Sequence, residues 1–170
     1  MTATIEFRRW NGRRKYVFCF WEDGELKIFK DAEVAERWAE RQGFKATFVD
    51  GEMRVIVCGG REYQDRERVF SILDSIHSET PITKLIQGGA KGADDLAFRW
   101  GLQCKNSGME LMTVHAEWKK HGRRAGPIRN AQMLEENPHL VVAFPGGRGT
   151  ADMVRQAKAA GVPVMEVEGA

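Results

Sequence analysis

The chain has 170 residues, 42% hydrophobic and 29% charged, with a formal net charge of +2. That balance describes an ordinary globular protein with room for one full domain and a small appendage. The charge is too mild to imply a nucleic-acid partner. No apolar run approaches the roughly 18 residues that span a bilayer, and Met1-Thr2-Ala3-Thr4-Ile5-Glu6 lacks a signal-peptide core. The three cysteines, Cys19, Cys58 and Cys104, form no CxxC pair. Free thiols in a reducing cytoplasm are therefore expected, with neither a disulfide framework nor a structural zinc. Separately, no metal cluster and no cofactor are expected.

Residues 1–52 read as a small α+β appendage. Strand-like runs at 4–10, 15–21 and 25–29 are separated by Asn11-Gly12 and Asp23-Gly24, dipeptides that favour hairpin turns. Asp31 is placed to cap a helix running to about Gln42, with Val34, Ala35, Trp38 and Ala39 on one face and Gly43 ending it. A strand at 45–49 and the turn Asp50-Gly51 close this β-meander-plus-helix segment.

From Met53 onward strands and helices alternate, the signature of an α/β fold. Strands are expected at 54–58, 84–87, 110–114, 140–144 and 163–167, and helices at 66–77, 92–106, 127–136 and 149–160. Short right-handed connections make this a Rossmann-like five-stranded parallel sheet ordered 3-2-1-4-5. Its first and fourth strands then flank the topological switch point, where open α/β sheets bind ligands.

Three of the strands run into glycine pairs: Gly59-Gly60, Gly88-Gly89 and Gly146-Gly147. Glycine lets the backbone turn sharply and brings amides close to a guest. In Phe144-Pro145-Gly146-Gly147-Arg148-Gly149-Thr150, a threonine able to cap the next helix follows three glycines. Such a loop aims N–H groups and a helix dipole at one point, and a phosphate is the expected guest. The expectation includes a positive φ at Gly147. The spacing is neither GxGxxG nor GxxxxGK[ST].

Gly126-Pro127-Ile128-Arg129-Asn130 opens a helix with proline expected at its first position, which puts Arg129 in the first turn, against the dipole. An anionic ligand would favour that placement, and so would a salt bridge to an acid. The basic stretch from Trp118 to Ala125 reads either as solvated surface or as a phosphate-gathering flap. Further candidates are Arg61 and Tyr63 beside Gly59-Gly60, with Tyr63 stacking on a base or merely covering the loop. Past Gly88-Gly89, Gly92 and Asp94 join them, Asp94 as a ribose ligand or a first-turn acid.

The motifs Cys58-Gly59-Gly60-Arg61-Glu62-Tyr63, Gln87-Gly88-Gly89-Ala90-Lys91-Gly92-Ala93-Asp94, Ala125-Gly126-Pro127-Ile128-Arg129-Asn130 and Phe144-Pro145-Gly146-Gly147-Arg148-Gly149-Thr150-Ala151 occur in this order. On them, residues 53–170 resemble the SLOG superfamily, which groups the LOG enzymes with YpsA, YspA and DprA-like proteins, and in particular its bacterial and phage YspA-like branch. Residues 1–52 take no part in the resemblance. LOG enzymes are phosphoribohydrolases that cleave the N-glycosidic bond of nucleoside monophosphates, often as dimers, using a helix-opening arginine and a glutamate in PGGxGTxxE. The resemblance assigns Arg129 to the arginine. Asp152 stands where the family's first glutamate stands, and Met153 where its second does.

The residues thus point to a cytoplasmic domain with a phosphate site at Gly59, Gly60, Gly88, Gly89, Gly146, Gly147, Gly149 and Thr150, and the resemblance implies that it is oligomeric and binds a nucleotide. Three readings follow. In the first, the ligand is a nucleotide or nucleotide derivative whose N-glycosidic bond is hydrolysed. Arg129 then holds the phosphate or ribose, and Asp152 stabilises the oxocarbenium-like sugar. In the second, the domain is a non-catalytic sensor of an NAD- or ADP-ribose-type signal. In the third, it is a DprA-like single-stranded nucleic-acid module using Arg8, Arg9, Trp10, Arg13, Arg14, Lys15, Tyr16 and Trp21. The competing account of that last stretch is a charged hairpin with its aromatics packed inward.

Overall fold

The computed structural model describes residues 2–10, 16–21, 26–50, 52–104 and 109–169. The chain divides into two compact units, Met1–Glu52 and Met53–Ala170. The expected turns at Asn11-Gly12 and Asp23-Gly24, the basic residues Arg13, Arg14 and Lys15, and Gly51 lie outside the described residues.

In the first unit β1 (Thr4–Trp10), β2 (Tyr16–Phe20), β3 (Leu26–Phe29) and β4 (Lys45–Asp50) form a sheet ordered β3-β2-β1-β4. The first three strands make the antiparallel meander. β4 pairs in parallel with β1, Phe7 opposite Phe48, so this unit also contains a crossover. A parallel neighbour needs one, and α1 (Ala32–Arg41) supplies it. Asp31 caps that helix by accepting the Val34 N–H at 2.9 Å. Ala35 and Ala39 are buried with Phe7, Val17 and Cys19, and Trp38 packs against this core. Trp21 sets its ring against Trp38 at 5.0 Å and Phe44 at 5.6 Å. One of the aromatics proposed for nucleic-acid stacking is thus packed inward.

In the second unit β5 (Arg54–Cys58), β6 (Lys84–Gln87), β7 (Glu110–Thr113), β8 (Leu140–Ala143) and β9 (Val164–Glu166) form a wholly parallel sheet ordered β7-β6-β5-β8-β9. This is the α/β order expected from the connection rules. The helices are α2 (Arg66–Glu79), α3 (Ala93–Gln103), α4 (Trp118–His121), α5 (Ala125–Leu134) and α6 (Arg148–Ala159). Right-handed crossovers put α2 and α3 on one face of the sheet and α5 and α6 on the other. Both pairs pack together.

The central strands are buried on both faces, which is why their sequences are continuous apolar runs rather than alternating ones. Ile56, Cys58, Ile86, Val141 and Ala143 meet Met133 of α5 and Met153 and Ala157 of α6. On the opposite face Trp100 of α3 is fully buried and donates its Nε1 proton to Asp74 Oδ1 of α2 at 2.8 Å.

α3 runs over Ala93–Gln103 with Cys104 as its cap, and residues 105 and 106 of the expected helix lie outside the described residues. One helix expectation needs correction. α5 begins at Ala125, preceded by a 3-10 turn over Gly122–Arg124, so Pro127 is its third residue and not its first. Proline fits anywhere in a first turn, because none of those N–H groups has an intrahelical acceptor. It therefore marked the first turn and not the first residue. Arg129 in consequence sits fifth in α5, past the turn where the dipole would oppose it.

Candidate functional site

The site forms where β5 and β8 separate toward their neighbours. Gly60 ties three loops together there. Its N–H donates to the Pro145 carbonyl at 2.9 Å, and its own carbonyl accepts from Tyr63 N–H and Ala93 N–H, both at 3.2 Å. Two glycines are required by this crowding. Gly92 has φ +77°, and a Cβ there would run into the Gly60 carbonyl oxygen. A Cβ at Gly146 would run into Thr150 Oγ1 and the Gly60 amide.

The loops enclose a cavity of about 360 Å³. From β5 and its loop, Val57, Cys58, Gly59, Gly60 and Arg61 line it; from the β6 loop and α3, Gly88, Ala90 and Asp94. Trp118 of α4 and Gly126, Arg129, Asn130 and Met133 of α5 form another wall, and Gly147, Arg148, Gly149 and Thr150 close it. Tyr63, Gly89, Gly92, Gly146 and Asp152 do not belong to this lining. The Tyr63 ring lies 5.4 Å from that of Phe144. Asn130, Ala90, Met133 and Arg148 carry no site signal of their own in the sequence, where Trp118 stands only as the start of a basic stretch.

Several of the glycine-loop amides are already engaged. Asp94 Oδ2 accepts from Gly88 N–H at 3.0 Å and Ala90 N–H at 3.3 Å, and Gln87 Oε1 takes the Gly89 N–H at 2.6 Å. Asp94 therefore shapes the β6 loop. Burial pushes its carboxyl above the usual range, opposed by those amides and by Arg129 and Arg61.

The start of α6 is different. Its cap, Gly147, has no side chain to offer, and the first intrahelical bond runs from Ala151 N–H to the Gly147 carbonyl at 3.0 Å. Helix geometry leaves the N–H groups of Arg148, Gly149 and Thr150 without intrahelical acceptors, and all three residues face the cavity. Two details here correct the sequence reading. Gly147 has φ −100°, not a positive value, and its Cβ position is open. Thr150 is the third helical residue and not the cap, because the chain enters the helix directly from the glycines.

A hydrogen-bond chain links the remaining polar residues. Arg129 Nη1 donates to the Gly88 carbonyl at 2.7 Å, and its Nε donates to Asn130 Oδ1 at 3.1 Å. Asn130, 3% exposed, donates through Nδ2 to Asp152 Oδ2 at 2.9 Å and to the Gly149 carbonyl at 3.1 Å. Asp152 also accepts from Gln156 Nε2 at 2.7 Å and pairs with Arg155. Burial alone would raise the Asp152 pKa, but the hydrogen bonds from Asn130, Gln156 and Arg155 hold it below the ordinary carboxylate value. Asp152 thus stands behind Asn130, which in turn fixes Arg129.

Cys58 contributes only bulk. Burial, reinforced by Asp94, pushes its thiol up to about 12, which removes it as a nucleophile near neutrality. Among the described residues no cluster of three or more His, Cys, Asp or Glu could hold a metal ion, and no helix is long and apolar enough to cross a membrane.

These features define a Rossmann-like α/β protein with a glycine-rich, arginine-lined cavity at its switch point. The sequence profile of the YspA, cpYpsA-related SLOG family matches residues 53–121. The Gene 61 protein of Mycobacterium phage D29 is 38% identical over 117 residues, covering 66% of this chain and 94% of that protein. The chain belongs to the SLOG family.

Proposed function

We propose that residues 53–170 form a domain that binds a nucleotide-derived ligand by its phosphate and does not hydrolyse it. Residues 1–52 would form a separate appendage, since every cavity residue lies beyond Met53. The observation that carries the reading is the uncapped start of α6, opening onto a cavity that Arg61, Arg129 and Arg148 also line. N–H groups at a helix start and guanidinium forks are complementary to phosphate oxygens. Family membership favours a nucleotide over a free anion as the source of that phosphate.

The geometry supports binding over hydrolysis. Cleaving an N-glycosidic bond calls for a carboxylate facing the sugar as positive charge develops. Asp152 is engaged by three donors behind Asn130, and Asp94 is engaged by Gly88, Ala90 and the field of Arg129. Both are occupied in holding the cavity walls. The test is calorimetric titration with AMP, ADP-ribose and NAD, run beside chromatographic detection of free base. Binding without base release is expected. Sustained base release would overturn the binding-only reading, and no binding of any of the three would overturn the phosphate assignment.

A further inference from the structure

We propose that Trp118 is the base-recognition residue of the cavity, its indole face receiving the heterocycle of a ribonucleotide whose phosphate lies at the start of α6. This rests on the phosphate reading above and adds the part of the ligand which that reading leaves unspecified. Trp118 opens α4 and is 49% exposed, whereas Trp100 is 1% exposed. It supplies the aromatic ring of the cavity lining. The ring lies across the start of α5, where a Cβ on Gly126 would stand 3.5 Å from its Cη2.

The Arg61 guanidinium sits over the same ring, 5.4 Å from its centroid. A planar cation held on an exposed indole occupies the kind of face that a flat base would use. When a base takes that face, Arg61 is released toward the phosphate that accompanies it. Tyr63 cannot serve in this way while its ring is packed on Phe144. Stacking tolerates any base, so the residue selects nucleotides over bare sugar phosphates without dictating one heterocycle.

Calorimetry with AMP, CMP and ribose 5-phosphate on wild type, Trp118→Ala and Trp118→Phe tests this. In Trp118→Ala, AMP affinity should fall roughly 5- to 150-fold, the scale of one base–aromatic stack, while ribose 5-phosphate is unchanged. Trp118→Phe should recover much of the loss, and AMP should outbind CMP because the larger ring overlaps more of the indole. Equal loss for AMP and ribose 5-phosphate, or no loss for either, overturns the stacking role and leaves the phosphate reading standing. Failure of both to bind wild type overturns the two together.

Discussion

In an Asp152→Asn variant the side chain keeps its size and loses its charge. The amide oxygen can occupy the place of Oδ2, which accepts from Asn130 at 2.9 Å and Gln156 at 2.7 Å, so both bonds survive as neutral ones. The new NH2 then faces the Arg155 guanidinium, whose side chain is 73% exposed and can turn to water. A bond to a charged group contributes about 1.5–3 kcal/mol and a neutral one about 0.5–1.5, so the two together lose roughly 2 kcal/mol. The exposed Arg155 pair adds at most about 1 kcal/mol. The melting temperature should fall by roughly 5–10 °C for a unit of this size. Because the Asp152 pKa is depressed in the folded state, its stabilisation is complete above the ordinary value of 3.8 and disappears as pH falls through the folded pKa. Wild type and variant should therefore differ at neutral pH and converge in acid, read by circular dichroism. An unchanged neutral melting curve, with base release present in wild type and lost in the variant, would refute the positioning role and make Asp152 catalytic.

Gly92→Ala should lose about 3 kcal/mol or more, from its φ of +77° and the collision with the Gly60 carbonyl, whereas Gly147→Ala should stay within about 0.5 kcal/mol in denaturant melts. Arg129→Ala should weaken phosphate binding by about 1.5–3 kcal/mol in calorimetry and, by stripping the Gly88 carbonyl of its donor, lower ligand-free stability by about 1 kcal/mol. His77 Nδ1 accepts the Ile82 N–H at 2.9 Å, and burial lowers its pKa from 6.5. The unfolded chain then binds the proton first, so stability should decline as pH drops below 6.5, and His77→Asn, which keeps an acceptor without titrating, should flatten that part of the profile. Cys58 should resist thiol reagents in the native protein near neutral pH and react on unfolding.

Part of the site was readable because it is local. Gly146-Gly147-Arg148-Gly149-Thr150 announces a sharp glycine turn into a helix, and α6 begins there, although its cap is Gly147 and not Thr150. The apolar run ending at Cys58 likewise announces a buried strand leading into a sharp turn. Asn130 was not readable, since an amide on a helix has no pattern until Asp152 and Gly149 come within reach of it. Trp118 stands in the basic stretch without a mark of its own for a similar reason: only its position over Gly126 and beneath Arg61 separates it from any exposed aromatic.

The alternation of apolar runs with helical periods sufficed for a parallel sheet, and the rules of short right-handed connection sufficed for its order, because both are properties of neighbours along the chain. What the glycine loops do with their amides was decided elsewhere. Gly88 and Ala90 give theirs to Asp94, Gly60 gives its own to Pro145, and Arg129 reaches back 41 residues to the Gly88 carbonyl. A donor's availability depends on which acceptor packing brings within about 3 Å. That is settled only once the sheet has closed and α5 and α6 have docked on it, leaving the start of α6 to face the cavity.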